Sequence, residues 1–187
     1  MMNPRNVVIF GASGGIGRAL VEAYAGKAAV ESVHAVSRGG NAAFAIDPSA
    51  EDKISQHQTD ITSESDLEAL AAQVGTPDMV ILATGILTDP DTGLTPEKSY
   101  RQQDIAAFEQ VFRINTFGPA LVAKHFLGRM PREGRCVFAA LAARVGSISD
   151  NGLGGWHAYR ASKAAALNIG RNLATDLKPE GIAVGIY

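Results

Sequence analysis

One stretch governs what this chain can become: Asn6 to Gly17, NVVIFGASGGIG. Val7, Val8, Ile9 and Phe10 form a largely β-branched apolar run that stops at glycine, which suits a strand of a parallel sheet buried on both faces. Gly11, Gly14, Gly15 and Gly17, with Ser13 among them, then make a turn almost free of side chains. Such a turn lets backbone N–H groups reach a phosphate, and a helix starting near Ile16 points the positive end of its dipole at the same place. The expectation is a pyrophosphate site built from Gly11, Ser13, Gly14, Gly15, Ile16 and Gly17. Taken alone, the same turn also reads as a tight connection with no ligand. Its spacing, Gly11-xxx-Gly15-x-Gly17, has three residues between the first two glycines where the common dinucleotide fingerprint has one, and it lacks the Lys-Ser/Thr of a nucleoside-triphosphate loop.

Composition narrows the partners. A chain of 187 residues is long enough to bury roughly 70% of its unfolded surface in one domain without a disulfide or metal staple. With 17 Lys+Arg against 19 Asp+Glu and a net charge of -2, no basic field invites nucleic acid. The one cysteine, Cys136, lies in the apolar run Cys136-Val137-Phe138 and reads as a buried, inert thiol. No signal-peptide core opens the chain and no apolar run approaches the roughly 18 residues of a membrane span, so the expected place is the cytoplasm, with no membrane partner. His34, His57, His125 and His157 lack metal-ligand spacing, and no metal is expected.

Strand-like and helix-like segments alternate along the chain. Ile16 to Lys27 predicts a helix with Ile16, Leu20 and Tyr24 at four-residue spacing on one face. Glu31–Ser37 and Ile54–Asp60 predict the second and third strands, with Gly39–Asp52 irregular between them. Ser63 caps a helix to Val74, with Asp66 three residues on, close to a capping box. Pro77–Thr84 is a fourth strand. Ile105–Met130 is a long helical stretch bent at Gly118-Pro119, where proline removes a helix bond. Gly134–Ala142, Tyr159–Leu177 and Ile182–Tyr187 supply a fifth strand, a helix and a sixth strand. The whole of 1–187 is therefore expected as a single α/β domain, a doubly wound parallel sheet of the Rossmann type with six strands.

In such a sheet ligands bind beyond the carboxyl ends of the strands. After strand two comes Ser37-Arg38, a cation with no acid beside it, which favours a 2′-phosphate and hence NADP over NAD, although a solvated arginine reads the same way. After strand three come Asp60 and Ile61, and after strand four Ala83, Thr84 and Gly85. The chemistry falls on Tyr159-Arg-Ala-Ser-Lys163, where Tyr159 and Lys163 share one helix face at i and i+4. A free phenol, with a pKa of about 10, is a poor acid near neutrality, but a neighbouring ammonium lowers that value and lets the pair exchange a proton with an alcohol or carbonyl. Tyr-xxx-Lys alone is a common surface pair. Placed one strand after Asn115 and downstream of the glycine turn, it points to catalysis.

From the glycine turn to YRASK the chain resembles the short-chain dehydrogenase/reductase family. The run Val145–Trp156 followed by AYRASKAA looks like the branch of small carbonyl reductases and C-factor-type signalling proteins. Ala83-Thr84-Gly85 is similar to the family's Asn-Ala-Gly segment, with Thr84 where alanine is usual. The resemblance implies that Tyr159 donates the proton to a substrate carbonyl as hydride arrives from the nicotinamide. It further implies that Lys163 binds the nicotinamide ribose and lowers the tyrosine pKa, and that Asn115, in INTFGP, holds the helix bend and a relay water. A homodimer or homotetramer joined through Ile105–Met130 and Tyr159–Leu177 is implied as well.

Two departures from the family stand out. Its strand-five serine is replaced by Ala142 and Ala143; Ser147, 12 residues before Tyr159, is the candidate substitute, or only a turn residue. Loss of such a donor costs roughly a hundred- to a thousand-fold in rate. Family members also continue past strand six with a Pro-Gly loop, a substrate lid and a seventh strand, none of which follows Tyr187. Since an apolar strand left at an edge invites aggregation, the expectation is a longer native protein rather than a shortened form with an incomplete pocket. Three readings remain open: an NADP-dependent oxidoreductase acting on a carbonyl or secondary alcohol, a non-catalytic or weakly active nucleotide-binding regulator, and a fold whose motifs coincide by chance. Substrate selectivity is expected in the loop Leu87–Asp104.

Overall fold

The computed structural model describes residues 4–133, 136–180 and 182–186. Strands β1 (Asn6–Phe10), β2 (Ser32–Ser37), β3 (Ile54–Gln58), β4 (Met79–Leu82), β5 (Cys136–Ala140) and β6 (Ile182–Ile186) form one sheet in the order β3-β2-β1-β4-β5-β6. Every neighbouring pair is parallel, with Val8 set between His34 and Val80. Parallel neighbours need a crossover, and most of the crossovers are built on helices. These are α1 (Gly15–Ala25), α2 (Glu64–Val74), α3 (Ile105–Phe112), α4 (Gly118–Phe126) and α5 (His157–Asp176). The expected doubly wound α/β fold is the one observed, and its strand order reverses between β1 and β4.

The sheet separates two cores. On one face Val8, Phe10, Val80, Leu82 and Phe138 pack with Leu67 and Leu70 of α2 and Val122 and Phe126 of α4. Phe10 meets Phe126 edge-on with ring centroids 5.4 Å apart, a contact worth about 1 kcal/mol beyond the area that it buries. On the other face Val7, Ile9, Val33, Ala35 and Ile81 pack against Val21 and Ala25 of α1. Cys136 is buried in β5, where burial pushes its thiol pKa up, as an inert cysteine requires.

Several expectations shift. The inner face of α1 is Gly17, Val21 and Ala25, whereas Ile16 is 62% exposed. Gly17 sets this phase: a Cβ there would stand 2.0 Å from the Gly11 carbonyl oxygen, so Gly17 must face inward and Ile16 turns out. The segment expected as irregular, Gly39–Asp52, closes with a 3-10 helix, Pro48–Lys53, capped by Asp47. The break in the long helix comes earlier than Pro119, as a π turn over Arg113–Phe117, with the Gly118 N–H reaching back to the Arg113 carbonyl. Pro119 has no N–H for the Asn115 carbonyl four residues before it, which explains why the regular ladder fails here. Ser63 does cap α2, accepting the Asp66 N–H at 3.3 Å, while Asp66 turns to the Asp60 N–H instead of completing a capping box. Strand ends are trimmed by one to four residues. Gly134 and Tyr187 lie outside the described residues.

Candidate functional site

At the strand-order reversal the segments after β1, β2, β3 and β4 enclose a groove of about 460 Å³. Gly11, Ser13, Gly14, Arg38, Asp60, Ile61, Ala83, Thr84 and Gly85 all line it, so nine residues read from separate stretches of sequence meet in one place. Val36, Thr62, Ile86 and Arg113 line it too and were not foreseen; nothing in their local sequence marks them, because each lies there only through its neighbours' fold.

The glycine turn is shaped by the sheet. Gly11 and Ala12 both donate to the Val36 carbonyl, at 2.9 and 3.0 Å, which bends the chain straight out of β1. Gly11 takes φ 85, and a Cβ on it would meet the Ala83 carbonyl oxygen at 2.8 Å. Gly15 has nothing within 4 Å of where a side chain would begin. The N-cap of α1, Gly14, lines the groove and offers no side-chain cap, so no capping side chain satisfies the first-turn N–H groups behind it. Two hydroxyls of the groove segments, Ser37 Oγ and Thr84 Oγ1, are buried without a hydrogen-bond partner among the described residues. Uncapped helix donors, a backbone free of side chains and orphaned hydroxyls fit a bound dinucleotide. Gly15, Ile16 and Gly17 build the turn rather than line the groove: Gly15 opens α1, Gly17 packs against Gly11 and Ile16 points to solvent.

Tyr159, Lys163 and Asn115 gather beside the groove's Gly85 end. A Cβ on Gly85 would stand 3.2 Å from Lys163 Nζ and 3.3 Å from Asn115 Oδ1. Lys163 is 4% exposed, and its Nζ donates to the Leu141 carbonyl just past β5 at 3.0 Å. That Nζ also lies 5.9 Å from the centre of the Tyr159 ring. Asn115, held in the π turn, accepts the Ile86 N–H at 2.8 Å and donates to the Ile86 carbonyl at 2.9 Å, pinning the segment after β4. It also donates to Ser162 Oγ at 3.2 Å, and that hydroxyl donates to the Tyr159 carbonyl at 2.8 Å. Thr116 Oγ1 completes the clamp on the Ser162 carbonyl at 2.9 Å. Ser162 and Thr116 were missed; Ser162 stands inside YRASK, three residues after Tyr159, where a helical hydroxyl reaches back to the preceding turn.

Electrostatics differ from the sequence expectation. Burial raises the Tyr159 phenol above its ordinary pKa, and burial lowers the Lys163 ammonium below its own. Desolvation dominates because the Lys163 bond goes to the Leu141 carbonyl and not to the phenol.

No hydroxyl stands at the end of β5, where Ala142 and Ala143 follow Leu141. Ser147 belongs to a different hollow, against His157, Arg160, Ala161 and Ala164 of α5, and its Oγ accepts the Asp150 N–H at 3.3 Å beside Ser149 Oγ at 3.4 Å. Tyr159 does not line that hollow.

A sequence model described as short chain dehydrogenase matches residues 5–187. The chain belongs to the short chain dehydrogenase family. A family member from Sinomonas cyclohexanicum, cis-4-hydroxycyclohexanecarboxylate dehydrogenase, is 28% identical over 184 residues, covering 96% of this chain and 70% of that protein. The C-signal protein of Myxococcus xanthus is 38% identical over 78 residues, covering 42% of this chain and 47% of that one, which bears out the C-factor-like branch. Among solved short-chain dehydrogenases, one from Burkholderia multivorans with bound NADP superposes with a TM-score of 0.79 at 25% identity, covering 96% of this chain and 76% of that chain. The chain thus spans from about half to 70% of the length of these curated relatives. Among the described residues no helix is long and apolar enough to cross a membrane.

Proposed function

We propose an NADP-dependent oxidoreductase of the short-chain type that interconverts a carbonyl and a secondary alcohol, with Tyr159 as proton donor and acceptor. One observation carries the reading: Tyr159, Lys163 and Asn115 gather beside the end of the groove whose other wall is the glycine turn. When bound, a nicotinamide dinucleotide supplies the hydride. The chain's own part is the proton. The raised phenol stays protonated at neutral pH and can give its proton to the substrate oxygen as charge develops there. Lys163, anchored on Leu141, keeps its amine 5.9 Å from the centre of that ring. Ser37, with its orphaned hydroxyl, closes β2 and Arg38 follows it in the groove, where a fork-shaped cation favours a 2′-phosphate. The NADP-bound relative supports the same choice. A cytoplasmic homodimer or homotetramer acting on a small molecule completes the proposal.

A second reading, a weakly active or non-catalytic nucleotide-binding regulator, is favoured by the alanines after β5, since the substrate oxygen then has Tyr159 as its one evident donor. Titration of NADPH and NADH, followed by turnover on aldehydes and ketones, separates the two. Preferential NADPH binding with turnover, reduced about a thousand-fold or more in Tyr159→Phe while binding persists, is the expected result. Tight binding with no turnover on any carbonyl would shift the assignment to the regulator.

A further inference from the structure

The loop between β4 and α3 carries a buried acid that this chemistry does not use. Glu97 is 5% exposed, and an acid this deep needs partners. Among the described residues, both of its hydrogen-bond partners lie at the start of the helix that carries Tyr159. Glu97 Oε1 accepts the Ala158 N–H at 3.1 Å, and the Glu97 backbone carbonyl accepts the Trp156 N–H at 2.6 Å. The N-cap of α5 is Trp156, which has no side-chain cap to offer. Glu97 therefore supplies from a distant loop what Ser or Asp usually supplies at the N-cap, a side-chain acceptor for a first-turn N–H.

Trp156 is held in an unusual shape. Among the described residues it is the one non-glycine with a left-handed backbone, at φ 51, a conformation that bulky residues avoid. Gly154 and Gly155 lead into it at φ 66 and 67, and a Cβ on Gly155 would stand 3.2 Å from the Glu97 carbonyl oxygen. The indole then meets the Tyr159 ring edge-to-face, centroids 6.3 Å apart and planes at 81°. At its other end the loop is tied to α3, where Gln110 Nε2 donates to Asp89 Oδ2 at 2.7 Å.

We propose that Glu97 is a positioning residue for Tyr159: it clamps the first turn of α5 and sets the Trp156 indole against the phenol ring, so that the β4–α3 loop and the proton donor form one rigid unit. Its effect on turnover rests on the oxidoreductase reading above; the clamp itself does not.

Trp156 is the single tryptophan of the chain, so its fluorescence reads the clamp without any turnover. In the full chain, Glu97→Gln keeps the acceptor and its reach, whereas Glu97→Asp draws it back by one carbon. Glu97→Asp is expected to red-shift the emission and increase acrylamide quenching, and to lower kcat about tenfold or more with the KM for NADPH little changed, since small misplacements of a reacting group are costly. Glu97→Gln is expected to recover most of both. Wild-type fluorescence and kcat in a folded Glu97→Asp protein, even one with a lower Tm, would overturn the proposal in favour of simple packing. If Glu97→Asp does not fold, amide exchange in the wild type decides: protection at Ala158 like that of mid-helix supports the clamp, and exchange like that of an open helix end refutes it. Absence of turnover in the wild type would defeat the oxidoreductase reading, while fluorescence would still decide whether Glu97 holds Trp156.

Discussion

Two imidazoles meet across β2 and β3. His34 Nδ1 and His57 Nε2 lie 2.9 Å apart, so one ring donates and the other accepts. Burial first, then the charge that His57 would carry, lowers His34 from 6.5 to about 4, and burial lowers His57 as well. In the unfolded chain His34 takes up its proton near pH 6.5, whereas the fold refuses it until about pH 4. Stability from this pair is therefore complete above pH 6.5 and is lost as pH falls toward 4. Urea midpoints measured across that window should drop in the wild type and drop less in His34→Gln; parallel slopes would contradict the assignment. The pair was legible as two structural histidines, but not as partners, since 23 residues separate them and only the register of β2 on β3 sets them side by side.

The elements show how much of the site is a matter of space. Gly85 ends the segment after β4, and its missing side chain is what lets Lys163 Nζ and Asn115 Oδ1 converge. Gly85→Ala should lower turnover by about tenfold or more, because neither polar group can retreat without loosening its bond to Leu141 or Ile86. Gly128→Ala, where the space is open, is the control and should leave rate and Tm close to wild type. Equal rates in the two variants would show that the convergence is not needed. Apolar runs and caps located all six strands and the major helices to within a few residues, because those signals are carried by adjacent residues. The π form of the turn at Asn115 was not legible, since a five-residue widening leaves no periodic trace; Gly118-Pro119 marked a bend nearby, and the family resemblance implied that Asn115 holds it.

On the scale of the molecule, apolar surface remains after the two cores are filled. Ile105 at the start of α3 is 73% exposed and Phe117, just before α4, is 54% exposed. Both belong to the stretch expected to join subunits, and apolar side chains left outward there are what a symmetric interface would cover. Light scattering is expected to give a dimer or tetramer. Phe117→Glu should shift it to monomer while NADPH binding persists; a monomeric wild type would end the idea. The opposite sheet face is covered by α1 over its β1–β3 half, whereas Ala183 on β6 stays exposed.

The sequence by itself determined the alternation of elements, the glycine turn, the Tyr159–Lys163 helix face and the missing hydroxyl after β5. All of these depend on residues within a few positions of one another, through backbone sterics, periodicity and hydrogen-bond capacity. The tertiary structure decided the rest. It set Ser147 in a separate hollow, made desolvation the dominant influence on Tyr159, and buried Glu97 at the head of α5, 61 residues away in the chain. A side chain's burial is fixed by whichever distant segments close over it, and the field that it feels follows from that closure.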